Sequence, residues 1–326
     1  MPSFLVNSKM SPALAARVTA SVRGRRSKPG DASAAAHARA LIRFVLVVVI
    51  VGAGVWLAVS VRQESARVER ERTSLLDTVH GHNALLTADE KGAVARDDAW
   101  VTAFASTFEG EVVSNELRAP GGLAAVLARP SVYVHGTIDS FHSAVSLEQA
   151  AVDSVKDSFL LCLIDPPAAR NEKALLGKVH VAYDGGPVLE QRTPDTLRLA
   201  DAQAVFRILS PAWEARVRGA DASGLSKLRG ELDRAPMEKG KLALKAGLLI
   251  VAMDEPAPVT SPAELDGERA HEVRLAIVDV ASSKVFLRTR KHVDPSDWSV
   301  KARSDYARGL DECALALDVR EGVVAR

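Results

Sequence analysis

The longest uninterrupted hydrophobic stretch lies near the N-terminus of the chain. It begins at Phe44, ends at Val61 and reads FVLVVVIVGAGVWLAVSV, eighteen residues without a charged side chain. A helix of this length rises about 27 Å, close to the roughly 30 Å hydrocarbon core of a bilayer. Leu41 and Ile42 extend it toward the N-terminus. We therefore predict a transmembrane helix over residues 41–61 and a lipid bilayer as its partner.

This stretch has two other interpretations. A buried core helix seldom needs eighteen residues that are apolar on every face. A cleaved signal peptide would fit the small residues Ala58, Val59 and Ser60, which resemble a cleavage site. We favour a retained anchor because the preceding segment is far longer than a usual n-region, and cleavage after Ser60 stays open.

Polar segments flank the predicted span on both sides. Residues 1–40 are rich in Ser, Ala, Gly and Arg and predict a disordered basic tail. Residues 62–86 carry charges of alternating sign, with pairs such as Glu64 and Arg67 at helical spacing, and predict a solvated helical connector. We expect this helix to break at His80 and Gly81.

The hydrophobic pattern changes character in residues 87–326. Strict alternation from Ser131 to Ile138 predicts a strand. Two runs that are apolar on both faces, FLLCLI from Phe159 and LLIVAM from Leu248, predict covered central strands. Residues 273–280 and 284–290 predict a hairpin. The fold class expected is a mixed α/β (α+β) domain, with a sheet of mainly Val, Leu and Ile covered by helices.

Helical spacing and helix-start signals place helices between these strands. Ser146 and Gln149 resemble a capping box, and Thr193-Pro194 and Ser210-Pro211 are typical helix starts. The pattern predicts helices over residues 88–108, 123–128, 144–155, 194–209, 211–219, 224–232 and 299–319. A strand, helix and strand from 131 to 164 would then form a parallel crossover.

Charge is distributed unevenly along the chain. Residues 1–43 contain eight basic residues and one acidic residue, so the larger remainder is acidic. Within twenty residues of the span, five Lys or Arg precede it and four follow it. This balance favours a cytoplasmic N-terminus, with the basic tail near anionic lipid headgroups and the large domain exported. A cytoplasmic domain stays open.

Composition adds two expectations about partners and source. No aromatic residue lies beside the basic pair Arg25 and Arg26 to stack on bases, so we predict no nucleic-acid partner. The chain contains 13 Lys against 29 Arg, with abundant Ala, which indicates a GC-rich genome. We therefore expect the inner membrane of a bacterium, with the domain in the periplasm or outside the cell.

The two cysteines leave the compartment undecided. Cys162 lies in the apolar FLLCLI run and Cys313 on the apolar face of the last predicted helix. An exported domain would permit a disulfide between them. We favour two buried thiols that act as small hydrophobic residues.

Acidic residues at predicted strand ends are the first candidate for chemistry. Asp165 follows FLLCLI, and Asp254 and Glu255 follow LLIVAM. Carboxylates at the carboxyl ends of parallel strands line the usual ligand crevice and suit Mg²⁺. The alternative is ordinary turn chemistry, because Asp165 and Glu255 both precede proline. These three residues are the weak metal candidates, and no cofactor or catalytic residue is assigned.

Two further groups of polar residues are better explained without a ligand. His80 and His82 flank a glycine, and His135 lies on the polar face of the first strand, but no third ligand stands at a familiar spacing. The basic segment 284–292 is typical of a protected sheet edge.

No sequence motif assigns an enzyme class. The P-loop, dinucleotide-binding, zinc-protease and serine-hydrolase signatures are absent. We expect a membrane-anchored accessory, scaffold or binding protein with an unidentified protein partner. The rival hypothesis is a membrane-tethered, metal-dependent hydrolase or transferase that uses the strand-end acids.

Overall fold

The computed structural model describes residues 31–154, 158–184, 196–258 and 269–324. Contacts divide the chain into two units, Met1–Arg70 and Glu71–Arg326. The first helix, α1 (Asp31–Ala84), begins within the stretch expected to be disordered and continues through the expected break at Gly81. Helical hydrogen bonding therefore tolerates this glycine. The predicted tail before residue 31 lies outside the described residues.

The apolar part of α1 is uncovered by protein. Its large hydrophobic side chains, from Leu41 to Val61, have exposed fractions between 47 and 71 %. By length and composition this helix can cross a membrane. An apolar surface of this extent is unfavourable in water, and a bilayer would cover it.

The last turns of α1, from Glu71 onward, belong to the second unit and contribute to its core. Leu75 and Val79 are fully buried. The Arg72 guanidinium donates a hydrogen bond of 2.8 Å to the carbonyl oxygen of Ala220. The connector is therefore not solvated along its whole length, because its final turns supply core residues.

Helices and strands alternate irregularly along the second unit. The helices are α2 (Ala88–Ser106), α3 (Asn115–Arg118), α4 (Gly122–Leu127), α5 (Ala144–Asp153), α6 (Ser158–Ile164), α7 (Glu172–Asp184), α8 (Leu199–Ile208), α9 (Pro211–Gly219), α10 (Ala222–Arg234), α11 (Met237–Leu244) and α12 (Val300–Val324). The strands are β1 (Val112–Val113), β2 (Ser131–Thr137), β3 (Thr196–Arg198), β4 (Leu248–Asp254), β5 (His271–Asp279) and β6 (Lys284–Val293). Short 3₁₀ turns follow β2 and precede α12.

The described strands form one mixed sheet in the order β1-β6-β5-β4-β2-β3. β2 runs parallel to both β3 and β4, and the remaining neighbours pair antiparallel. β5 and β6 form the predicted hairpin, which is confirmed. The strands predicted at Ser131 and Leu248 are confirmed as β2 and β4, so the mixed α+β fold class holds.

Helices cover both faces of the central strands. The first five residues of β2 and the first six of β4 are buried. One face contributes to a core with α6, α7 and α12. On the other face, α5 approaches β2 so closely that a Cβ on Gly136 would lie 2.9 Å from that of Ala150. Two-sided burial explains why the LLIVAM run is apolar throughout.

The expected strand FLLCLI is a helix, so that prediction is wrong. α6 contains the whole run, and Phe159 to Leu163 are buried. A short run that is apolar on all sides suits a buried helix as well as a central strand, and periodicity does not separate them. The parallel neighbours of β2 are therefore β3 and β4.

Two predicted helix starts also differ from the structure. Ser143, rather than Ser146, caps α5, and its side chain accepts a hydrogen bond from the Ser146 amide. Thr193-Pro194 lies outside the described residues, and Thr196–Arg198 is a strand where helix was expected. Strand pairing with β2 outweighs local helical propensity there.

A disulfide joins Cys162 on α6 to Cys313 on α12, across 151 residues of sequence. The expectation of two free thiols is therefore wrong. The two Cα atoms are 5.2 Å apart, within the usual range for a disulfide. Helix packing brings the cysteines together, which their positions in the sequence did not show.

We expect Cys162→Ala with Cys313→Ala to lower the free energy of unfolding by about 2–5 kcal/mol, because the cross-link restricts the unfolded chain. Guanidinium titration of the full chain in detergent, followed by tryptophan fluorescence, measures the loss. A reductant should lower the free energy of unfolding of the wild type to that of the double variant. It should leave the free energy of unfolding of the double variant unchanged. A wild type that is insensitive to reductant would contradict the assignment.

Asp97 on α2 is a buried carboxyl group, and one of its two oxygens has no hydrogen-bond partner. It is 3 % exposed, and its Oδ1 atom accepts no hydrogen bond. Burial raises the pKa of Asp97 to about 7, and the neighbouring Asp98 raises it further while Arg96 opposes the shift. The folded protein therefore keeps a proton that the unfolded chain releases near pH 4.

This proton makes the Asp97 contribution to stability fall as the pH rises from about 4 to about 7. We expect Asp97→Asn to remove that decline and to increase the free energy of unfolding at pH 8 by about 1–3 kcal/mol. Urea titrations at pH 5 and pH 8 measure both effects. Asp89→Asn, an exposed change on the same helix, is the control. A destabilised Asp97→Asn protein at pH 8 would contradict the prediction.

Candidate functional site

A cavity of about 570 Å³ opens at one edge of the sheet in the second unit. This volume is within the range of small-molecule pockets. Its walls come from the ends of β2 and β4, the start of β5, the first turns of α5 and the middle of α12. The lining mixes carboxylates, imidazoles and hydroxyls with aliphatic side chains.

The parallel pairing of β2 with β4 places the cavity. Thr137, the last residue of β2, is in register with Asp254, the last residue of β4. The carboxyl ends of both strands therefore meet at one edge, which is where α/β sheets commonly bind ligands. Asp254, one of the strand-end acids singled out in the sequence, lines this cavity.

His135 lies at the base of the cavity, between two carboxylates. Its Nε2 atom is 2.9 Å from Asp254 Oδ1, and its Nδ1 atom is 3.8 Å from Glu312 Oε1. The backbone amide of His135 donates a hydrogen bond of 2.8 Å to Ser154 Oγ. His135 is only 3 % exposed, so the expectation of a polar strand face is wrong: α6 and α12 cover that face.

Asp254 accepts from one imidazole and faces a second. His271 Nε2 lies 3.6 Å from the same Oδ1 atom. The His271 Nδ1 atom is 2.7 Å from the carbonyl oxygen of Arg269 and must donate, which leaves Nε2 directed toward Asp254. Burial by itself would raise the pKa of Asp254, but His135 and His271 together hold it far below its usual value. Asp254 is therefore a carboxylate at neutral pH.

Glu312 on α12 forms the wall opposite Asp254. Its Oε2 atom accepts hydrogen bonds from the backbone amide of Ser158 at 2.8 Å and from the Ser158 hydroxyl at 3.0 Å. Arg308 Nε donates to Oε1 at 3.0 Å. The neighbouring Asp311 accepts from the indole of Trp298 at 2.5 Å. Contacts from three directions therefore fix the orientation of Glu312.

Glu255 connects the hairpin to a helix end. Arg274 Nε and Arg290 Nε donate to Glu255 Oε1 at 2.6 and 2.8 Å. Arg274 also donates to the carbonyl oxygens of Phe104 and Ala105, at the end of α2. Burial favours a raised pKa at Glu255, yet the two guanidinium groups hold it below its usual value. This acid has a structural role in tying β5 and β6 to α2.

The three acids predicted as metal candidates do not converge. Asp254 and Glu255 line the cavity, whereas Asp165 does not. Asp165 follows helix α6 rather than a strand, and Lys178 Nζ donates to it at 2.6 Å. Within the described part of the chain, no group of three or more His, Cys, Asp or Glu side chains is arranged to hold a metal ion.

The other polar groups noted in the sequence have protein partners. His80 Nε2 lies 3.3 Å from Glu214 Oε1. The basic segment belongs to β6, which lies between β5 and β1 and is not the edge of the described sheet. Arg288 forms an ion pair with Glu109, and His292 Nδ1 lies 3.0 Å from Glu272 Oε1.

Several cavity residues were not identified from the sequence. His271 begins a strand, and Arg308, Asp311 and Glu312 lie in a helix whose polar positions look like an ordinary solvated face. No local motif marks them, because their proximity depends on packing between distant segments. The sequence places His135 on the polar face of the first predicted strand, but no local pattern indicates its partners.

The arrangement suits binding better than proton transfer. Both ring nitrogens of His135 face carboxylates, so the imidazole orients them and is not directed at a substrate. A general base needs a free nitrogen within hydrogen-bond reach of its proton. Asp254, in contrast, is 23 % exposed at the cavity, and among the described residues no hydrogen bond to its Oδ2 atom is found.

Comparison of the chain with protein-family models, with curated proteins and with solved structures finds no match. Similarity therefore transfers no activity to this cavity.

Proposed function

We propose that this protein is a single-pass membrane protein whose second unit is an exported, non-catalytic ligand-binding module. The observation that carries the proposal is the cavity beside β2 and β4, in which His135 and His271 orient the carboxylate of Asp254. Small-molecule sites commonly combine such a concave, partly apolar wall with a few fixed polar groups.

Three features support the proposed location. The exposed apolar part of α1 suits a retained anchor in a bilayer. The eight basic residues before it suit a cytoplasmic tail in contact with anionic lipid. The disulfide between Cys162 and Cys313 is typical of oxidising compartments such as the bacterial periplasm. Together they favour the inner membrane of a bacterium with the module outside the cytoplasm.

A reporter fused after Arg326 tests the location. We expect an alkaline phosphatase fusion to be active, because this enzyme folds only outside the cytoplasm. We expect a green fluorescent protein fusion to be dark, because this reporter folds only in the cytoplasm when the chain is exported unfolded. A matched fusion after Lys28 should give the opposite pattern. Strong fluorescence after Arg326, with inactive phosphatase, would contradict an exported module.

The rival proposal of a metal-dependent hydrolase or transferase rests on one observation: Asp254 and Glu255 both line the cavity. Against it, Arg274 and Arg290 already neutralise Glu255, and Asp165 lies elsewhere with Lys178. A hard cation would have to displace these contacts to gain Glu255 or Asp165 as a ligand.

A divalent-ion titration separates the two proposals. We expect Mg²⁺ or Mn²⁺ to leave the melting temperature of the full chain in detergent unchanged, because the described acids do not form a cation site. Calorimetry of the wild type, Asp165→Asn and Asp254→Asn measures this. Metal-dependent stabilisation that both substitutions abolish would overturn the binding proposal in favour of the enzyme.

A further inference from the structure

We propose that the cavity binds an aliphatic compound with a protonated amine or guanidinium group, and that Asp254 receives this group. The inference deepens the proposed binding function and rests on it.

The two oxygens of Asp254 have different surroundings. His135 Nε2 at 2.9 Å and His271 Nε2 at 3.6 Å both approach Oδ1. Among the described residues, no hydrogen bond to Oδ2 is found. The side chain is 23 % exposed and lines the cavity. One oxygen therefore holds the imidazoles in place, while the other is available to a ligand.

An ionised carboxylate accepts hydrogen bonds and donates none. The imidazoles keep the pKa of Asp254 far below neutral, so it cannot become a donor under physiological conditions. The ligand group that meets Oδ2 must therefore be a donor. Charged donors bind carboxylates most strongly, which favours an ammonium or a guanidinium.

The cationic side chains nearest the cavity do not supply this donor. Two arginines line the cavity: Arg308 is bound to Glu312, and among the described residues no side-chain hydrogen bond from Arg269 to Asp254 is found. Arg274 and Arg290, outside the lining, are bound to Glu255. In addition, the lining holds more carboxylates than guanidinium groups. The Oδ2 atom of Asp254 is therefore left for a donor that the ligand supplies.

The apolar part of the wall indicates an aliphatic ligand. Ile138, Val273, Val293 and Leu315 line the cavity beside the polar groups. No phenylalanine, tyrosine or tryptophan is among the described lining residues. Stacking on a ring, which nucleobases and many sugars use, is thus not offered. Methylene groups next to an ammonium match this mixture of surfaces.

Isothermal titration calorimetry of the full chain in detergent tests the assignment. The probes are cadaverine, its uncharged counterpart 1,5-pentanediol and its anionic counterpart glutarate. We expect saturable binding of cadaverine, with pentanediol about tenfold to a hundredfold weaker, because it lacks the charge. An acetylated and amidated Gly-Lys-Gly peptide distinguishes a free amine from a lysine side chain as the natural source.

Asp254→Asn is the decisive variant. Asparagine keeps an oxygen for His135 Nε2 but can present an amide donor to the cavity, so cadaverine affinity should fall about tenfold to a hundredfold. Asp165→Asn, which lies outside the cavity, should bind as the wild type does. Circular dichroism establishes that both variants fold, and Asp254→Glu replaces Asp254→Asn if the latter does not.

Equal affinity of wild type and Asp254→Asn for cadaverine would overturn the proposal, as would equal affinity for cadaverine and pentanediol. If glutarate alone binds, and the cavity-filling variant Gln149→Trp abolishes this binding, the amine assignment is wrong. The proposed binding function would still be supported by that result. Both proposals fail if no probe binds and a wider fragment screen finds no compound whose binding is abolished by Gln149→Trp.

Discussion

The packing of α6 against α12 is the contact on which the cavity depends. Ser158 and Cys162 lie one turn apart on α6, and they meet Glu312 and Cys313 on α12 through two hydrogen bonds and a disulfide. This pairing closes the second face of the sheet and brings a buried carboxylate to His135. Without it, the imidazole would face solvent and Asp254 would lose its oriented partner.

Charge balance around the cavity follows from the same packing. Burial of a carboxylate costs free energy unless hydrogen bonds and opposite charges compensate. Asp254, Glu255 and Glu312 are each compensated by imidazole, guanidinium or amide groups. Asp97 is the contrasting case: its Oδ1 atom has no hydrogen bond, the opposing charge of Arg96 does not outweigh burial, and the pKa rises to about 7.

The comparison of sequence with structure separates strong patterns from ambiguous ones. Alternation predicted β2, and the hairpin was evident from two strands around a short turn. The FLLCLI run was misassigned because burial on all sides removes the periodicity that distinguishes helix from strand. Among the charged and imidazole side chains of the cavity, the sequence pattern singles out only Asp254, Glu255 and His135.

The sequence by itself determined the apolar helix at residues 41–61, because eighteen uncharged side chains in succession need no tertiary context to be recognised. It also determined the mixed α+β character of the rest. Only the tertiary structure decided that Cys162 meets Cys313, that Asp165 stands apart, and that Asp254 lies between two imidazoles. These are contacts between segments up to 151 residues apart, and local pattern carries no information about such distances.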